Sequence, residues 1–151
     1  MFAPLMNTFN VRVYGILLLG NEVLLCDELM MGKRVSKFPG GGLEFGEGTT
    51  DCLIREFQEE LKLPIEINSH FYTTDFFVPS VFNSEQQVLS IYYLVKPINI
   101  ELQRLKQIVD EASTEKINFR WVSLSQLSEE LVTLVIDKKV ALLLKQEVTG
   151  R

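Results

Sequence analysis

The distribution of apolar and polar positions changes period several times along this chain. Residues 11–19 (VRVYGILLL) form a near-continuous apolar run, which predicts an internal strand. Gly20-Asn21 is a turn signal, and residues 23–26 return as its hairpin partner. Residues 30–37 are polar and read as a loop carrying Lys33, Arg34 and Lys37. From Thr49 or Thr50 to about Leu61 the period becomes helical, with Leu53, Ile54, Phe57 and Leu61 gathered in one direction. Asp51 suits the positive end of that helix, and Pro64 forbids its simple continuation. Residues 65–67 read as a short strand and 70–78, rich in aromatics and threonine, as a longer one. A loop over 79–85 leads to a strand over 88–95, stopped by Lys96-Pro97. Residues 98–102 read as a short extended piece, 103–115 as part helical and 117–122 as a strand. Ser125 can cap a short helix to about Leu131, and Asp137 a last one whose Val140, Leu143 and Leu144 make an apolar stripe. This order predicts an α/β fold, a mixed sheet with helices on both faces. Residues 1–10 read as a loose lead-in, and no repeat or linker divides the remainder, so residues 1–151 are expected to form a single domain.

Composition narrows the function classes. With 151 residues, 46% hydrophobic and 23% charged, the chain can bury a real core and is not a disordered segment. A net charge of -5 argues against a sheath for polymeric nucleic acid. It does not exclude a nucleotide, because a bound metal inverts the local charge. The apolar runs are too short to span a membrane, and no basic segment precedes an apolar one at the N-terminus, as a signal peptide requires. Cys26 and Cys52 lie in apolar surroundings without metal-ligand spacing, which predicts reduced, buried thiols in a cytoplasm. His70 is the single histidine, so a histidine zinc site and a Ser-His-Asp triad gain no support.

The candidate chemistry is concentrated in residues 38–63 (FPGGGLEFGEGTTDCLIREFQEELKL). A glycine-rich loop, with Gly40, Gly41, Gly42, Gly46 and Gly48, also carries Glu44 and Glu47. The helix that follows holds Arg55, Glu56, Glu59 and Glu60. At about 100° per residue, Glu60 lies about 40° from Glu56 and Glu59 about 60° from it on the other side, so the three carboxylates share a face. Like charges on adjacent turns destabilise a helix unless something neutralises them, and Mg²⁺ favours carboxylate and phosphate oxygens. Glycines let a backbone turn approach a ligand where a Cβ would clash. Loop and acidic helix together read as a Mg²⁺–phosphate site; the ordinary alternative is a solvated acidic face.

The same stretch resembles the Nudix box, G-x5-E-x7-R-E-U-x-E-E-x-G-U, where U is an apolar residue. Gly41, Glu47, Arg55, Glu56, Glu59 and Glu60 fall on the pattern at full spacing, and Phe57 and Leu63 match apolar positions. Lys62 departs, standing where the family has glycine just past the helix end. The resemblance implies a MutT-like Nudix hydrolase with an α/β/α sandwich around a mixed sheet. It implies Mg²⁺, with Mn²⁺ as the alternative, held by Glu56, Glu59, Glu60 and the Gly40 carbonyl. Glu47 and Arg55 match positions that orient the site. In some members the general base is a glutamate outside the box, before a late strand; Glu115 is the first candidate here, Glu111 the second, and Glu44 or a box glutamate the remaining option.

For substrate binding, Gly41 and Glu44 lie in the loop, and Phe82 is the aromatic best placed to stack on a ligand. Lys33, Arg34 and Lys37 are either solvated surface or cations for a phosphate. The expected activity is hydrolysis of a phosphoanhydride bond in a nucleoside diphosphate linked to a further group, either a nucleoside triphosphate, standard or modified, or a nucleotide sugar such as ADP-ribose. Two other readings compete. A non-catalytic nucleotide-sensing module of the same family is disfavoured by the intact Arg55, Glu56, Glu59 and Glu60. A structural domain whose acidic helix binds only water would show no specific response to Mg²⁺. Many relatives pair, so the resemblance also raises a homodimer.

Overall fold

A computed structural model describes residues 6–149. The first five residues of the expected lead-in lie outside them, and β1 (Thr8–Leu19) already takes up its last three. β2 (Glu22–Met30) follows, then β3 (Lys33–Lys37), β4 (Gly40–Gly42), α1 (Thr49–Leu61), β5 (Ile65–Thr73), β6 (Gln86–Pro97), α2 (Leu102–Ala112), β7 (Ile117–Ser123) and α3 (Val135–Thr149). β1 runs parallel to β6 in register from Thr8↔Gln86 to Leu17↔Val95, while the other pairings are antiparallel. The sheet is mixed, as expected.

β1 and β2 pair only at Leu18↔Val23 and Leu19↔Glu22. Beyond that short seam the sheet splits into two wings. One is β4-β1-β6-β5 and the other β3-β2-β7. Alternation along the strands sends side chains to two cores. Ile16, Tyr92 and Leu25 pack with Val140 and Leu144 of α3, whereas Leu17, Leu24 and Val95 pack with Leu53 and Phe57 of α1 and Leu105 of α2. Helices thus cover both faces, and the opening between the wings is where the site forms.

Five expectations are corrected. Residues 33–37 are a strand, not a loop: Met31 (φ 51°) and Gly32 (φ 78°) make the tight turn that twisted hairpins favour, and β2 runs on to Met30 to meet it. The two strands expected over 65–78 are one, β5, bulged at Ile67/Ser69 and His70/Tyr72, and it ends at Thr73. Residues 98–102 are not extended, since Asn99 turns the chain (φ 45°) and α2 begins at Leu102. After Ser125 there is only a single 3-10 turn, Glu129–Leu131, because the Ser125 hydroxyl is bonded to that of Ser123. Asp137 does not cap α3, which starts two residues earlier.

The end of α1 agrees with the motif. Lys62 sits in the left-handed region, φ 52° and ψ 33°; its N–H donates to the Gln58 carbonyl at 3.1 Å and the Leu63 N–H to the Phe57 carbonyl at 3.3 Å. A non-glycine residue there costs roughly 1 kcal/mol. Lys62→Gly should therefore leave activity near wild type and stability equal or up to ~1 kcal/mol higher in urea unfolding. A large loss of activity would make Lys62 part of the site.

Candidate active site

Arg55 joins the glycine loop to the acidic helix. Its Nη2 and Nε donate to the two Glu47 oxygens at 2.6 and 2.9 Å, and Nη2 also reaches the Gly42 carbonyl at 3.1 Å. Nη1 reaches Glu56 at 3.0 Å and Glu59 at 3.3 Å, with Glu44 at 3.8 Å. The Arg55 hydrogen bonds, aided by the Glu44 N–H, hold the Glu47 carboxyl down to about 2. Such a fork fixes two partners in one plane, so Arg55 and Glu47 set where the loop lies over the helix.

Gly41 lies directly over Glu56. A Cβ at Gly41 would come 2.4 Å from the Glu56 carboxyl carbon, so glycine is required by close approach. Gly40 is buried opposite Tyr14 of β1. The helix presents its carboxylates unequally: the Glu56 side chain is 13% exposed and that of Glu59 60%. Ile54, expected on the dry face, is exposed.

Burial, together with a hydrogen bond to Glu56, pushes the Glu60 carboxyl up to about 8, while the charge of Lys37 acts the other way. Glu60 Oε2 is buried and has no hydrogen-bond partner. Two sheltered carboxyls close together, one with a partnerless acceptor, form a donor set that fits a hard divalent cation. Among the described residues no three acids converge closely enough to hold an ion as they stand. Arg55 occupies one oxygen of Glu56 and one of Glu59.

A cavity of about 800 Å³ opens between the wings, lined from β1, the β2–β3 hairpin and β6 and by none of the box carboxylates. It is lined by Tyr14, Tyr92, Phe76, Phe77 and Phe82, and closed at one end by Asp137. Phe82 stands where the sequence placed a stacking aromatic. Lys33 and Arg34 line the cavity too, at the far end of β3 from Lys37. Arg12 lines the near side, donates from Nε to the Tyr14 hydroxyl at 2.9 Å, and feels the charge of Glu56. It therefore marks the junction between cavity and carboxylates.

Sequence reasoning passed over Arg12, Glu28 and Asp137. Arg12 had a signal, a lone charge inside an apolar strand. Asp137 is 1% exposed, and Tyr92 donates to its Oδ1 at 2.5 Å while its Oδ2 has no partner. Burial pushes its carboxyl up to about 6. Glu115 lies exposed in the loop before β7 and makes none of the Arg55 contacts; Glu111 is also exposed and pairs with Arg104 at 3.7 Å. Both cysteines are free and buried, and no helix of the described residues is long and apolar enough to cross a membrane.

A family model described as NUDIX domain matches residues 8–143. The chain belongs to the Nudix family. Solved Nudix proteins share its fold at low identity. A NUDIX hydrolase from Nitrosomonas europaea superposes with a TM-score of 0.69 at 16% identity, over 93% of this chain and 89% of the other. The E. coli ORF135 protein gives 0.70 at 14%, over 95% and 94%. The MutT protein from Methanosarcina mazei Go1 gives 0.66 at 18%, over 95% and 96%. No curated protein sequence is a significant match to this Nudix chain.

Proposed function

We propose that this Nudix protein hydrolyses a phosphoanhydride bond of a nucleoside diphosphate linked to a further group, with Mg²⁺ or Mn²⁺ as cofactor. The observation that carries the reading is the sheltered Glu56–Glu60 pair under Gly41, linked to an aromatic cavity large enough for a nucleoside by Arg12, which lines the cavity and feels the charge of Glu56. Glu56, Glu59, Glu60 and the Gly40 carbonyl are the groups that would hold the ion. Bound there, a divalent cation would neutralise phosphate oxygens and orient the attacking water.

The chain's own residues do the remainder. Arg55 and Glu47 fix the loop over the helix and keep Glu56 and Glu59 oriented. Gly41 leaves room for the Glu56 carboxylate beneath the loop. Arg12, at the junction, is placed to meet the phosphate chain as it leaves the cavity. The base enters the cavity among Phe76, Phe77 and Phe82, and Asp137 Oδ2 offers an acceptor for an N–H on its edge. Glu115 supplies the general base from its loop, and Glu44 stands at the exposed rim of the diphosphate.

The test is a screen for phosphate and diphosphate release from nucleoside triphosphates, ADP-ribose, sugar nucleotides and dinucleoside polyphosphates, each with Mg²⁺, Mn²⁺ or chelator. Divalent-dependent turnover of at least one class is expected. Tight nucleotide binding without turnover would favour the sensing module instead.

Asp137→Asn separates two roles of that side chain. A folded-state carboxyl near 6, above its unfolded value, binds its proton more tightly in the folded chain. Its contribution is full below about pH 4 and falls as pH rises through about 6, a loss of about 3 kcal/mol. The amide of the variant has no such titration. The stability gap between variant and wild type in urea should therefore shift in favour of the variant between pH 4 and pH 7.5. The ranking of bases by kcat/KM should also change; an unchanged ranking would remove Asp137 from base recognition.

A further inference from the structure

Lys37 is the one lysine among the described residues that is fully buried, at 1% exposure. It ends β3, opposite Cys26 of β2, at the point where the wings part and the chain turns into Pro39-Gly40. Its ammonium lies 3.4 Å from Glu28 Oε2 and 5.4 Å from the centroid of the Tyr14 ring. An ammonium is costly to bury unless negative groups surround it. Here they do: the charges of Glu28 and Glu60 both act to keep Lys37 protonated. Glu28 is 27% exposed, and its own charge acts on Glu60 and on Arg12. The pair thus acts electrostatically on the carboxylate pair, with its ammonium buried and its carboxylate partly exposed.

We propose that the Lys37–Glu28 pair is a built-in counter-charge of the carboxylate site that sets how tightly it takes up a divalent cation. The inference rests on the metal reading above. A cation arriving at Glu56 and Glu60 is repelled by Lys37 and attracted by Glu28. With both in place the two effects largely offset, so the site holds a bare ion weakly and gains from the phosphates that arrive with it. Lys37 and Glu28 are positioning residues in this scheme, acting through the carboxylates rather than on substrate.

The two charges oppose each other, so removing them one at a time must move affinity in opposite directions. A merely structural ion pair would not do this, since breaking it from either side would loosen the site. The test is Mn²⁺ alone, titrated into the full chain and followed by calorimetry and by the loss of the free-ion paramagnetic signal. Lys37→Met should tighten Mn²⁺ binding roughly tenfold, and Glu28→Gln should weaken it by a similar factor, the size of a charge effect attenuated by intervening protein and solvent. Lys37→Arg, which keeps the charge, should stay near wild type. The double variant Glu28→Gln/Lys37→Met should return toward wild type. Thermal unfolding checks each variant. If Lys37→Met does not fold, the partly exposed Glu28→Gln carries the test alone, and unchanged or tighter binding there overturns the inference. Shifts in the same direction for both single variants overturn it as well. Absence of Mn²⁺ binding by the wild-type chain would overturn the metal reading and this inference together, whereas wild-type binding that neither variant shifts would overturn this inference alone.

Discussion

Glu60→Gln, and separately Glu59→Gln, should lower turnover by several orders of magnitude with the fold intact. Charge stabilisation by a bound cation is worth several kcal/mol, and every ~1.4 kcal/mol is tenfold in rate, so the loss of a ligand should cost roughly 10³-fold or more. The fold should survive for different reasons in each case. Glu60 is sheltered at a place that disfavours its charge, and an amide of the same size fits there without one. Glu59 is 60% exposed, so its amide is solvated whether or not Arg55 retains it. Steady-state rates at saturating Mg²⁺, with unfolding curves for both variants, provide the check. A near-wild-type rate in either variant would strike that residue from the ligand set. The two variants are also expected to differ in metal dependence. Glu60 is the sheltered member with a partnerless oxygen, so its loss should be the harder to offset with excess metal.

The opening between the sheet wings explains why these residues meet. β1 contributes Arg12 and Tyr14, β2 contributes Glu28 and β3 contributes Lys37, and each reaches the seam because β1 and β2 part after only two paired positions. The glycine loop then carries the chain from β3 across β1 as β4, which brings Gly41 over Glu56.

What could be read in advance follows from this geometry. The glycine loop and α1 were legible because their chemistry is local: Arg55, Glu56, Glu59 and Glu60 share a helix face through spacing alone. Phe82 was singled out as a loop aromatic beside Asn83, and it lines the cavity. Lys37 was ambiguous, since a lysine between polar neighbours reads as surface, and only the register of β3 on β2 buries it against Glu28. Glu28 and Arg12 are far apart in the chain, and strand pairing across the split brings their charges together. Asp137 was misread for a related reason. An aspartate ahead of an apolar stripe is a good cap on local grounds, but Tyr92, from a distant strand, takes its carboxylate.

The remaining prediction concerns the general base. Glu115→Gln should lower kcat by roughly 10²–10⁴, the usual contribution of general acid–base catalysis. The box glutamates are committed to Arg55 and to the cation, which leaves the proton of the attacking water to a carboxylate from elsewhere. Glu115 stands in the loop between α2 and β7, and that loop is tied to β2 beside Glu28: Leu29 donates to the Lys116 carbonyl at 2.8 Å, and Ile117 stands opposite Glu28. Glu115 itself is exposed to solvent on that loop. Glu111 is less suited, being an exposed residue of α2 whose partner is Arg104. Glu111→Gln should change kcat by far less. A rate–pH profile adds a second readout, since removal of the base should abolish the acidic limb of kcat as well as its maximum. An unchanged kcat and pH profile in Glu115→Gln would end this assignment and return the role to Glu44, Glu111 or a box glutamate.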